Sequence, residues 1–204
     1  GMRDPVLIAD FGGTNARFAV IETPGSAPVL LPRCLVADHP SPVPALAAAL
    51  AAWPGAAPRQ AVIAVACKVD GPVAHLTNAA WSVDAGEIGR AFGFSSVRLV
   101  NDYAPVAASL AAPDLASAGS HPIGTVPPRQ DRAPRLVLGP GTGLGAAALL
   151  PAGESLLIQT TEAGHVAFGP DGEDEAALWP HLERAHGRLT AEAVLSGPGL
   201  LRLY

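Results

Sequence analysis

The sequence is short of cations. Lys68 is its only lysine among 13 basic residues, which stand against 18 acidic ones and give a net charge of −5. That balance argues against binding a nucleic-acid backbone, where affinity rests largely on Lys and Arg neutralising phosphates. A single lysine outside any Gly-Lys-Ser/Thr run also excludes a Walker-type P-loop. Cysteine is equally scarce. Cys34 and Cys67 match no zinc spacing and demand no disulfide framework. Two thiols suit a reducing compartment, so a cytoplasmic protein is expected. No uncharged apolar run reaches the length of a membrane span. The first apolar run, Val6 to Ala9, is cut off by Asp10, too early for a signal segment. Apolar residues are plentiful, at 49%, so a packed core is expected rather than disorder.

The pattern along the chain predicts mixed α/β structure. Val6–Ala9 and Ala16–Ile21 read as two strands around Asp10-Phe11-Gly12-Gly13-Thr14-Asn15. Residues 29–36 can supply a third strand and 42–53 a helix with proline near its start. The wholly apolar run 61–67 reads as a strand buried on both faces, and 73–76 as a weaker one. A helix over 84–92, with Asp84 available to cap it, precedes a strand at 97–100. Residues 103–112 read as a helix, and the proline-rich stretch 113–134 as a loop or boundary. A strand at 135–138, a glycine turn at 139–145 and a returning strand at 146–150 then repeat the opening theme. Helices follow at 171–185 and, as two short pieces broken at Ser196-Gly197-Pro198-Gly199, across 190–204.

Four motifs carry chemistry. In the first, Gly12-Gly13 can reach positive φ and leave backbone N–H groups uncovered for phosphate oxygens. Thr14 and Asn15 add side-chain donors, and Asp10 offers oxygen ligands to Mg²⁺. A plain hairpin turn is the simpler alternative. The second is the alternating glycine run 139–145 with Thr142 at its centre, again suited to phosphate. It also satisfies a loose dinucleotide pattern, but Pro151 and Gly153 leave no room for the helix that pattern needs. The third is Asn101-Asp102 at the end of a buried strand. A carboxylate there can face a ligand crevice and accept a proton, or it can simply cap the next helix. The fourth is Glu162-Ala163-Gly164-His165, whose donor and acceptor groups can meet one polar ligand, or form a surface turn. His39, His75, His121, His181 and His186 lack convergent partners in the sequence.

Taken in order, these motifs resemble the bacterial glucokinase family of the actin-like ATPase superfamily. The matching segments are 9–17, Thr77-Asn78 with Trp81, 101–103, 139–145, 164–166 and 194–200. The resemblance implies an α/β, actin-like (ribonuclease H-like) ATPase fold. A first subdomain would cover 1–112, and an incomplete, truncated second one 113–204. It implies Asp102 as the base for the sugar 6-hydroxyl, and Asn101, Glu162, His165 and Glu192 as the glucose-binding set. Asp10, Gly12, Gly13, Thr14 and Asn15 would form one phosphate loop, with Asp10 on the metal. Gly141, Thr142 and Gly143 would form the other. ATP and Mg²⁺ are the implied cofactors, and glucose, held in a cleft between subdomains, is the implied substrate. A homodimer is implied for the complete enzyme.

The sequence departs from the family pattern at Ala163, Ala167, Ala193 and Lys68, none of them a proposed sugar ligand. Two other readings stand beside ATP-dependent glucose phosphorylation. One is an inactive sugar-binding remnant; the other is an actin-like ATPase with a non-metabolic role.

Overall fold

The computed structural model describes residues 4–77, 79–111, 121–125 and 132–204. Asn78 and most of the proline-rich stretch 113–134 lie outside that set. The chain divides into two compact units, Gly1–Pro105 and Val106–Tyr204.

The first unit is built on a hairpin. β1 (Val6–Phe11) and β2 (Asn15–Ile21) pair antiparallel, with Asp10 opposite Arg17 and Phe11 opposite Ala16. The expected strand over 29–36 is instead two short pieces, β3 (Val29–Leu30) and β4 (Cys34–Leu35), followed by a 3-10 turn at Val36–Asp38. Pro32 has no N–H to give to a ladder, which accounts for the interruption. Both pieces pair with β2.

Helix α1 (Pro42–Ala51) leads into β5 (Gln60–Val65), which lies parallel to β1. A small ribbon of β6 (Val73–His75) and β7 (Ser82–Asp84) follows. Asp84 caps α2 (Ala85–Phe92) as the sequence suggests, accepting from the Gly86 and Glu87 amides at 2.7 and 3.0 Å. β8 (Ser96–Asn101) then adds parallel to β5, giving the sheet order β3-β2-β1-β5-β8. The helix α3 (Tyr103–Ser109) starts directly after it.

The core of this unit is continuous. Leu7, Phe11, Val20, Leu46, Ile63, Val65, Val83 and Ile88 are fully buried in one cluster. Phe11 packs edge-on against both Phe18 and Trp81, at centroid distances of 5.8 and 5.3 Å. The Trp81 indole N–H donates to the His39 carbonyl at 2.9 Å, so its polar end is satisfied.

The second unit opens with an antiparallel meander of β9 (Arg135–Pro140), β10 (Leu144–Ala152) and β11 (Ser155–Thr161). Its glycine turn is shorter than the expected 139–145, because strand pairing continues through Pro140 and resumes at Leu144. β11 has no counterpart in the sequence reading. After a 3-10 turn at Ala163–His165 come α4 (Glu173–His186), α5 (Ala191–Val194) and α6 (Gly197–Leu203).

The expected break at residues 196–199 sits earlier, at Leu195-Ser196. Gly197-Pro198-Gly199 form the first turn of α6, where proline is tolerated. Ser196 caps that turn by accepting from the Gly199 amide at 3.0 Å. The core here is small: Trp179, Leu182, Leu189 and Val194. No described helix is long and apolar enough to cross a membrane.

Candidate functional site

Strand register decides where the first set of chemistry-bearing residues falls. Phe11 pairs with Val65, and Val65 pairs with Asn101. The three parallel strands therefore end level with one another. The Gly12-Gly13-Thr14 turn leaves one of these ends and Asn101-Asp102 leaves another. They lie two strand spacings apart, or about 10 Å. Carboxyl ends of parallel strands are where α/β sheets receive ligands.

The chain that leaves β5 ties this edge together. The Ala66 amide donates to the Phe11 carbonyl at 3.1 Å, and the Asp102 amide to the Val65 carbonyl at 3.1 Å. Asn101 spans the gap. Its Nδ2 donates to the Cys67 carbonyl at 3.0 Å, and its Oδ1 accepts from the Tyr103 amide at 3.0 Å. Each end of that side chain retains one further hydrogen-bonding position for a ligand.

Asp102 is half-buried. Its charge is felt nearby. Burial, and then the Asp102 carboxylate, push the Cys67 thiol and the Tyr103 phenol above their usual pKa values.

Asp10 faces Arg17 across the hairpin at 3.7 Å, and both side chains are about half-exposed. A pair that long and that wet is weak, so the carboxylate remains accessible. The turn beyond it does not use left-handed backbone. Neither Gly12 nor Gly13 has positive φ, contrary to the sequence expectation, and Gly141 and Gly143 do not have it either. At Gly143 what glycine supplies is the missing side chain, since an added Cβ would overlap the Glu192 carboxylate. The Gly12 amide closes the first turn on the Asn15 carbonyl at 2.9 Å, and the Gly141 amide closes the second on the Gly143 carbonyl at 2.8 Å. Gly141 has open space where a Cβ would stand. The amides of Gly13 and Thr142 have no hydrogen-bond partner among the described residues. Uncovered N–H groups are the donor set that phosphate oxygens fit.

In the second unit, Glu162, His165 and Glu192 come together. His165 Nδ1 lies 3.5 Å from Glu162 Oε2, and its Nε2 lies 3.6 Å from Glu192 Oε1. Glu162 and His165 are mostly exposed, while Glu192 is more enclosed. The other Glu192 oxygen accepts from the Leu144 amide at 2.9 Å, at the end of the second glycine turn. The Gly197 amide donates to the Gly141 carbonyl at 2.8 Å. Leu144 and Gly197 are therefore supports of the site that sequence reading missed. Backbone partners carry no side-chain signature. The glycine run also packs against the Glu–His motif: a Cβ on Gly164 would overlap the Leu144 carbonyl oxygen. Among the described residues no group of three or more His, Cys, Asp or Glu side chains is arranged to hold a metal ion.

Similarity to known proteins shows the family. Residues 7–204 match the family model described as "Glucokinase". The glucokinase of Brucella suis is 38% identical over 200 residues, covering 98% of this chain and 57% of the relative. That of Sinorhizobium fredii is 37% identical over 203 residues, covering 98% and 58%. The chain thus spans somewhat over half the length of the curated relatives it matches. Among solved structures, a glucokinase from an Antarctic psychrotroph superposes with a TM-score of 0.80 at 35% identity, covering 99% of this chain and 63% of that one. The ROK hexokinase of Thermus thermophilus, at 24% identity and a TM-score of 0.57, covers 97% and 62% and shares the fold alone. The architecture is that of the actin-like ATPases, and the chain belongs to the glucokinase family.

Proposed function

We propose that the protein phosphorylates glucose at its 6-hydroxyl with ATP as donor. The observation that carries this reading is the shared sheet edge. The half-buried Asp102 carboxylate stands level with a glycine turn whose Gly13 amide is uncommitted among the described residues. A base beside an anion cradle is the minimal equipment for phosphoryl transfer, which asks mainly for positioning and charge stabilisation.

In this reading Asp102 accepts the proton of the 6-hydroxyl as its oxygen attacks the terminal phosphorus, and ADP leaves. Asn101, Glu162, His165 and Glu192 hydrogen-bond the other sugar hydroxyls. Asp10, Gly12, Gly13, Thr14 and Asn15 serve the phosphates from the first unit. Gly141, Thr142 and Gly143 serve them from the second. Mg²⁺ suits Asp10 because this ion accepts one carboxylate and completes its shell with water and phosphate oxygens. When bound it would neutralise charge on the phosphates. The lack of a three-ligand cluster among the described residues is compatible with such a shared ion. A cytoplasmic location and a homodimer complete the proposal.

A coupled assay with glucose and MgATP tests it. The Asp102→Ala variant should lose turnover by about 10²- to 10⁴-fold, the usual range for a general base, while glucose still binds by calorimetry. Near-normal turnover in that variant would remove Asp102 from the base role. Absence of any sugar-dependent ADP release from the parent chain would remove the activity itself.

A further inference from the structure

Glu192 touches two things at once. Oε1 lies 3.6 Å from His165 Nε2, and Oε2 accepts the Leu144 amide at 2.9 Å. Leu144 is the residue that ends the second glycine turn. The residue before it, Gly143, is where any larger side chain would collide with this carboxylate: an added Cβ would overlap Glu192 Oε2 and stand 3.1 Å from its Cδ. A side chain at Gly143 would therefore have to push the carboxylate aside, although the φ of this residue is ordinary.

Leu144 is gripped from its other side too, where its carbonyl lies against Gly164, one residue before His165. Two backbone contacts fix the segment that carries the grip. Thr190 bridges to Ala167, and the Ala191 amide donates to the Val166 carbonyl at 3.1 Å. Thr190 caps α5, holding Glu192 in its first turn.

We propose that Glu192 is a positioning residue for the second phosphate turn, so that sugar and nucleotide affinities are coupled through its carboxylate. The inference rests on the sugar and nucleotide roles proposed above. A residue serving only the sugar would leave nucleotide binding alone. A carboxylate that also holds Leu144 N–H sets the shape of residues 141–144 before any sugar arrives. Conversely, crowding at Gly143 displaces the carboxylate from His165. A sugar that engages Glu192 therefore changes the turn that meets phosphate.

The test uses the ¹⁵N-labelled 204-residue chain and its Glu192→Ala, Glu192→Gln and Gly143→Ala variants. Amide exchange of Leu144, MgATP affinity without sugar, and glucose affinity without nucleotide are measured on each. In Glu192→Ala, Leu144 exchange should speed up and MgATP affinity fall, each by roughly tenfold, as for loss of one charge-assisted hydrogen bond. Glu192→Gln keeps an oxygen for Leu144 and should restore both, while glucose affinity stays lowered because the charge beside His165 is gone. Gly143→Ala should weaken glucose binding although it lies in the phosphate turn. Unchanged Leu144 exchange in Glu192→Ala, or a loss confined to glucose, overturns the proposal. A parent chain that binds neither ligand would defeat the proposed function instead, and Leu144 exchange would still decide whether the bridge exists.

Discussion

The two glycine hairpins look alike in outline and are supported by different physics. The first is seated on a core. Phe11, the last residue before its turn, is fully buried between Phe18 and Trp81. The second has an alternating β9 in which Leu136 and Leu138 are exposed at 64% and 58%. Its turn is fixed by polar contacts instead: the Glu192 carboxylate on Leu144 and the Gly197 amide on Gly141. Apolar burial is non-directional and spread over many contacts. A polar brace is directional and vested in one or two atoms. The first turn should therefore tolerate loss of any single polar group, and the second should not.

The largest expected effect is Phe11→Ala. It should destabilise the first unit by about 3–5 kcal/mol, as large-to-small changes in a closed aromatic core do. Leu138→Ala, on the exposed side of β9 in the second hairpin, should cost far less. Urea unfolding of both variants decides whether the contrast holds; equal losses would break it.

Gly164→Ala comes next. The added methyl has to displace the Leu144 carbonyl, and about 1–3 kcal/mol is expected for such overpacking. Unchanged stability in a thermal melt would mean the second hairpin is not clamped as described. Smaller again are two of the helix caps, one taken from each unit. Asp84→Ala and Ser196→Ala should each cost ~1 kcal/mol, measurable as a shift in urea midpoint. If only one did, the caps would not be equivalent local devices.

The smallest effect concerns Cys67. Its thiol is held above the ordinary pKa by burial first and by Asp102 second. Removing the negative charge in Asp102→Asn stabilises the thiolate, lowers that pKa and speeds alkylation below it. In a Cys34→Ser background, iodoacetamide labelling across pH 7 to 10 should shift to lower pH, but only part of the way, because burial remains. No shift would mean that the carboxylate and the thiol do not sense each other.

Much of the first unit could be read from the chain. Uniformly apolar 61–67 announced a buried strand, and Asp84 before an amphipathic run announced a capped helix. The interruption at Pro32 was legible in principle, since proline cannot feed a ladder. β11 was missed although Gly153-Glu154 separates two runs by two residues, a hairpin spacing with glycine at positive φ. The break placed at 196–199 went wrong because Ser-Gly-Pro-Gly reads as a breaker, while serine followed by proline starts a helix equally well. The positive φ anticipated for Gly12 and Gly13 is absent, and in the second turn it is at Gly143, beside the Glu192 carboxylate, that the lack of a Cβ matters.

The sequence by itself determined which residue types meet the chemistry. Asp10, Asn101-Asp102, the Glu–His pair and the two glycine turns are local words, each recognisable within a few positions. Tertiary structure alone decided that Val65 aligns Phe11 with Asn101, and that Glu192 reaches back 48 residues to the amide of Leu144. Register and backbone hydrogen bonds depend on how distant segments pack, and a main-chain amide leaves no mark in the identity of its own side chain.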